Sequence, residues 1–180
     1  ALSPSRASDF KQCPLLYRFR AIDRLPEPVS PAQLRGSVVH AALEELYALP
    51  AAERIHDTAL TLVDPALDRV IAEGSATGLV LEPELRAELL RDARKLLSDY
   101  YRLEDPTRFD PHSCEQRVEV ELPDGTLLRG FVDRIDIAAT GEMRVVDYKT
   151  GKSPSELWAL AEAKALFQMK FYALVLWRIH

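Results

Sequence analysis

Along this chain the spacing of apolar positions changes once, from helical to alternating, and then returns to helical. Ser3-Pro4 places an N-cap hydroxyl before a proline at the first helical position, which predicts a short helix running to about Gln12. Cys13-Pro14 ends or bends it, and Leu15 to Arg20 continues as a further turn. Pro26, Pro28 and Pro31 mark Leu25 to Pro31 as an extended connector. From Gln33 to Leu49, Leu34, Val38, Ala41, Leu43, Leu46 and Tyr47 recur near helical spacing. A further helix is expected over Asp57 to Glu73, then a loop at Gly74 and Gly78. Glu82 to Leu103 reads as a long amphipathic helix with Leu85, Leu89, Leu90, Ala93, Leu96, Leu97 and Tyr100 inward.

Then the period becomes two. Val118, Val120 and Leu122 alternate over Gln116 to Leu122, Pro123-Asp124-Gly125 is a hairpin turn, and Thr126 to Ile137 is the return strand. A turn at Ala139 to Glu142 leads into a third strand, Met143 to Tyr148. A loop covers Thr150 to Pro154, and from about Ser155 helical spacing resumes through Ala165, Gln168, Phe171, Tyr172 and Val175. The expected fold is α/β. It is one domain over 1–180, with 1–105 mainly helical, 115–150 a strand meander in a small mixed sheet, and 155–180 a helix.

Composition narrows the classes. Of 180 residues, 47% are apolar and 28% charged, enough for a core under a solvated surface. No apolar run approaches the roughly 20 residues that span a bilayer. The N-terminus lacks the basic-then-apolar pattern of a secretion signal, so a cytoplasmic protein is expected. The apolar stretch Phe171 to Ile179 carries no C-cap signal, which implies that the natural chain continues past His180. Net charge is −5, mildly against a nucleic-acid partner, yet a carboxylate-built metal site adds negative charge by design. Arg6, Lys11, Arg18, Arg20 and Arg24 gather basic charge in the first segment, as a contact surface or as a solvated face. Two cysteines, Cys13 and Cys114, make neither a disulfide framework nor a four-thiolate site.

The informative residues lie on the meander. Adjacent antiparallel strands can set Asp133, in Gly130-Phe131-Val132-Asp133, beside Asp147. Asp147 and Lys149, two apart on one strand, would face the same way. Two carboxylates and an ammonium then converge, the set that phosphodiester cleavage needs. Hard oxygen ligands hold Mg²⁺ or Mn²⁺, and a lysine orients water and offsets charge on phosphorus. A surface ion-pair cluster is the alternative for any such Asp-x-Lys taken alone.

Four stretches in order change that balance: Ser3-Pro4-Ser5 through Cys13-Pro14; Gly36-Ser37-Val38-Val39-His40; Gly130 to Asp136 with Asp147-Tyr148-Lys149-Thr150-Gly151; and Gln168-Met169-Lys170-Phe171-Tyr172. Together they resemble the RecB-type branch of the PD-(D/E)XK nuclease superfamily, whose core is restriction-endonuclease-like. The resemblance implies Asp133 and Asp147 as metal-binding acids and Lys149 as the catalytic lysine. It also implies His40 and the Tyr148 carbonyl as further metal ligands, with Gln168 and Tyr172 supporting the site and its DNA contacts. The implied activity is metal-dependent hydrolysis of DNA, single-stranded or with free ends, by an exonuclease of repair or recombination with which a helicase partner is compatible. Many members of this branch carry an iron–sulfur cluster. Cys13 matches its first ligand, and the other three would have to lie beyond His180; otherwise Cys13 is an ordinary buried thiol.

Other motifs are set aside. Gly151-Lys152-Ser153 lacks the upstream glycine of a P-loop, Val146 standing there, so ATP binding is rejected. His112 and Cys114 are two ligands, not a zinc site. Glu44 and Glu45 are read as solvated neighbours of His40. A non-catalytic DNA-binding or scaffold module of the same fold, or a nuclease acting on RNA, are the competing functions.

Overall fold

The computed structural model describes residues 1–76, 78–151 and 167–179. The chain divides into two compact units. The first comprises Ala1–Pro26, Glu115–Asp147 and the described part of 152–180; the second comprises Glu27–Cys114 and Tyr148–Gly151.

The second unit is helical. Helix α3 (Pro31–Ala48) starts with Pro31 behind Ser30, whose hydroxyl accepts the Gln33 amide while the Gln33 side chain reaches back to the Ser30 amide. Its buried Leu34, Val38, Leu43 and Leu46 pack with Ala59 of α4 (His56–Thr61), Val63 and Leu67 of α5 (Val63–Ala72), and Ala93 and Leu97 of α6 (Pro83–Tyr100) in one core. The single helix expected over Asp57 to Glu73 is two. Pro65 has no amide to donate to the Thr61 carbonyl and its ring would clash there, so the chain breaks at Leu62 and restarts at Val63. Helix α6 also stops earlier than its pattern, at Tyr100 rather than Leu103.

The first unit holds the sheet. Helix α1 (Pro4–Gln12) is capped by Ser3, as its sequence predicts, and α2 (Pro14–Tyr17) runs into a π turn at Arg18–Ile22. Strands β1 (Ser113–Glu121), β2 (Leu127–Ile137) and β3 (Met143–Val146) form a three-stranded sheet in the order β1-β2-β3. Strand β1 enters this unit at Glu115. The expected hairpin at Pro123 to Gly125 is present, with Gly125 at a left-handed φ of 80°. β2 and β3 are antiparallel, and Leu2 makes an isolated parallel bridge to Leu128 outside the three strands. Helix α7 (Phe167–Ile179) buries Phe171, Tyr172, Val175 and Leu176 against Val118, Leu128, Val132 and Ile135. The expected helix from Ser155 lies, up to residue 166, outside the described residues. Among the described residues no helix is long and apolar enough to cross a membrane.

Candidate active site

In the first unit the sheet register decides which acids meet. Arg134 pairs with Val146 and Ile135 with Val145, and this register, continued one step past the last pair, aligns Asp133 with Asp147. Asp133 is buried, at 9% exposure. Asp147 follows the last residue of β3 and accepts the Gln168 Nε2–H at 2.8 Å. Gln168 and Tyr172, one turn apart on α7, work as a pair: Gln168 Nε2 lies 3.3 Å from the Tyr172 hydroxyl, which donates to the Phe131 carbonyl of β2. Burial raises the Tyr172 phenol above its ordinary value; the Gln168 bond lowers it, and the charges of Asp133, Asp147 and Glu115 raise it further.

That third acid escaped the sequence reading, which began β1 at Gln116. Glu115 offers a carboxylate oxygen within 4.8 Å of one from Asp133. Its φ is +45°, in the left-handed region that a side chain rarely adopts without cause. Strand alternation through Val118 and Val120 gave no hint of it, because this backbone twist takes Glu115 out of the parity of the strand. An acid beside Cys114, at the mouth of the first strand, was the signal available.

Gly130 is a packing requirement. A Cβ there would lie 2.7 Å from Cε1 of Tyr172, so α7 reaches β2 only because the position is bare. Gly130→Ala is expected to lower stability by about 1–3 kcal/mol through overpacking and to displace Tyr172. Urea denaturation with near-ultraviolet circular dichroism checks this; an unchanged midpoint and spectrum would refute it.

The motif's last acid, Asp136, serves another purpose. It pairs with the buried Arg134, Nε to Oδ1 at 3.0 Å, and with Arg144 at 2.6 Å, which fixes β2 to β3.

In the second unit, His40 sits on α3 with its Nε2 3.0 Å from the Tyr148 carbonyl oxygen. The Tyr148 ring stands edge-on to His40 and to Tyr100, at 5.8 Å from each. Burial, with the charge of Tyr148 and bonds to Glu104 and Tyr47, lifts the Tyr100 phenol far above its usual range. Gly36, one turn before His40, lies where a Cβ would be 3.1 Å from Thr150 Oγ1. The bare position therefore lets α3 approach the 148–151 segment closely. Glu44 and Glu45 are half-buried and held by Arg69, at 2.8 and 3.4 Å, rather than simply solvated.

Strand β3 ends at Val146, two residues short of the expected Tyr148. Strand alternation therefore does not relate Lys149, which is exposed, to Asp147. Val145 and Val146 are half-buried rather than core residues. Asp147 and Tyr148 are neighbours by peptide bond, so the acid of one unit and the carbonyl that His40 holds in the other are consecutive in the chain. Cys13 is exposed, not the buried thiol that one alternative required. Of the basic residues of the first segment, all exposed, Arg20 pairs with Asp9 and Arg18 with Asp23.

The donor set suits a hard divalent cation. Oxygen ligands of this kind favour Mg²⁺ or Mn²⁺ over softer metals.

A family model for the PD-(D/E)XK nuclease superfamily matches residues 1–180. The chain belongs to the PD-(D/E)XK nuclease superfamily. Among curated relatives, the Gene 69 protein of Mycobacterium phage L5 is 44% identical over 61 residues, covering 28% of this chain and 21% of the phage protein. The chain thus matches about a fifth of that relative's length. Members of this superfamily are generally nucleases that act with divalent metals.

Proposed function

We propose that this chain is a RecB-type nuclease that hydrolyses DNA phosphodiesters as an exonuclease of repair or recombination. Above all, the reading is supported by the register that aligns Asp133 with Asp147, with Gln168 holding Asp147. Asp133, Asp147, His40 and the Tyr148 carbonyl are the proposed ligands of Mg²⁺ or Mn²⁺, with Glu115 beside Asp133. A cation bound there supplies polarisation of the phosphoryl oxygen and a more acidic water.

The protein's own groups do the rest. The Gln168 bond restrains the Asp147 carboxylate, and Tyr172 anchors β2 through the Phe131 carbonyl next to Asp133. Lys149 carries the remaining role: its ammonium orients the attacking water and offsets charge on the phosphoryl oxygens. Water oxygen bonds to phosphorus, the phosphorus–oxygen bond to the leaving sugar breaks, and that oxygen takes a proton.

The test is degradation of end-labelled single- and double-stranded DNA, and of RNA, with Mn²⁺, Mg²⁺ or EDTA. Lys149→Ala is expected to lower cleavage by about 10²–10³-fold, in line with loss of one charge-stabilising donor. Cleavage that persists in EDTA or in Lys149→Ala would sink the assignment. DNA binding without metal, unchanged in Asp133→Ala and without cleavage, would make this a binding module.

A further inference from the structure

A side-chain ligand aims itself through its rotamers, but a backbone carbonyl is aimed only by whatever holds its residue. Tyr148 lies within the helical unit, and its half-buried ring packs against that unit's core. The ring stands edge-on to His40 and to Tyr100. Tyr100, the last residue of α6, is itself tied down. Its hydroxyl donates to Oε1 of Glu104 and meets the hydroxyl of Tyr47. Tyr47, buried on α3, lies 3.4 Å from the same carboxylate oxygen.

A core of leucine, valine and alanine has no need of this network to pack. Phenylalanine at 47 and 100 would fill nearly the same space, and each phenol taken from water has to regain a partner. What the polar groups add is place, because side chains that bond one another hold each ring against sliding. His40 and Tyr47 are seven residues apart on α3, two turns along one face. Contacts run from His40 to Tyr148, on to Tyr100 and Tyr47, and so back to α3, a closed loop with the helix as one side. His40 Nε2 lies against the Tyr148 carbonyl oxygen, so the loop grips Tyr148 by its ring and by its carbonyl. Both branch from one Cα, and a shift of the ring carries the carbonyl with it.

We propose that Tyr47, Tyr100 and Glu104 are positioning residues that, by fixing the Tyr148 ring, set the direction of the Tyr148 carbonyl as a metal ligand. They act through Tyr148 and lie outside all four of the sequence stretches that carry the family resemblance. This assignment rests on the nuclease reading and adds to it a support for the metal that the acids do not provide.

The test is Mn²⁺ affinity of the whole chain without DNA, from the electron paramagnetic resonance signal of the free ion, beside cleavage of end-labelled DNA at rising Mn²⁺. Tyr100→Phe keeps the ring and loses its tether. It is expected to weaken Mn²⁺ binding by about 10-fold, the lower end of what loss of an outer partner costs a metal site. The Mn²⁺ needed for half-maximal cleavage should rise by the same factor, while the rate at saturating Mn²⁺ stays near that of the parent. Glu104→Leu should behave as Tyr100→Phe does. Glu104→Gln, which keeps an oxygen to accept the Tyr100 hydroxyl, should recover most of the affinity. Should Tyr100→Phe fail to fold, Tyr47→Phe, which strips one hydroxyl from the same network, is read in its place. Parental Mn²⁺ affinity in Tyr100→Phe, even with lowered thermal stability, would make the network structural only and leave the nuclease standing. An equal loss in Glu104→Gln would assign the effect to charge and overturn the positioning role. A parent chain that neither binds Mn²⁺ nor cleaves DNA would overturn both.

Discussion

Asp147→Asn is expected to reduce metal-dependent cleavage by roughly 10³-fold or more while the folded chain becomes slightly more stable without metal. The two effects share one cause. Asp133, Asp147 and Glu115 all act on the Tyr172 phenol with the same sign of charge, so they also act on one another. Neutralising one relieves repulsion in the empty site. Asparagine keeps a side-chain oxygen to accept the Gln168 Nε2–H, so packing is preserved. A divalent cation, by contrast, loses a charged ligand, and stabilisation of phosphoryl charge by several kcal/mol weakens with it. Thermal unfolding with EDTA and with Mn²⁺ separates the effects. The midpoint of Asp147→Asn should be at or above that of the parent in EDTA, and its rise on adding Mn²⁺ should be much smaller. Parental cleavage by Asp147→Asn would remove Asp147 from the proposed machinery.

Arg54→Ala is expected to lower stability by about 2–4 kcal/mol, the combined cost of buried carbonyls left without a donor and of the void. Arg54 is 4% exposed and lies just beyond the end of α3. Its Nε donates to the Leu49 carbonyl at 2.8 Å and Nη1 to the Phe109 carbonyl at 2.7 Å, while Nη2 meets Asp110 at 2.7 Å. One guanidinium thus satisfies the end of α3 and the approach to β1. Alanine would leave those carbonyls without their donor and open a void. Lysine, with one nitrogen at its tip, is expected to recover only part of the loss. Urea denaturation checks this, and a loss below about 1 kcal/mol would place Arg54 among ordinary surface residues.

These two residues also mark what the sequence could and could not reveal. Asp147 was legible because the turn at Ala139 to Glu142, which joins β2 to β3, limits the registers available, and an alignment of Asp133 with Asp147 follows. The helices over 31–48 and 83–100 were legible for a similar reason: each presents a continuous apolar face. Arg54 was not legible, because its partners are mostly backbone carbonyls, and nothing in a one-letter sequence shows where carbonyls will point. The end of β3 at Val146 depends on pairing with β2, which spans Arg134 to Ile137 only. Side-chain alternation extended the strand through Tyr148 because it reads side chains, not hydrogen bonds. Pro65 was visible, yet a proline in the first turn of a helix is ordinary, and the break at Leu62 depends on helix α5 starting there. Glu115 was hidden by its unusual backbone, since the rule of alternation assumes that every residue of a strand is extended.

The single bridge between Leu2 and Leu128 has a practical bearing on every assay described above. Leu2 is bound on both sides, its amide to the Leu127 carbonyl at 2.7 Å and its carbonyl to the Arg129 amide at 2.9 Å. Ala1 is therefore not a loose end: it lies on the rim of a cavity of about 460 Å³ where α1, β2 and α7 meet. Any peptide joined ahead of Ala1, whether a purification tag or a natural leader segment, departs from that rim. A bulky extension would crowd the opening of that cavity.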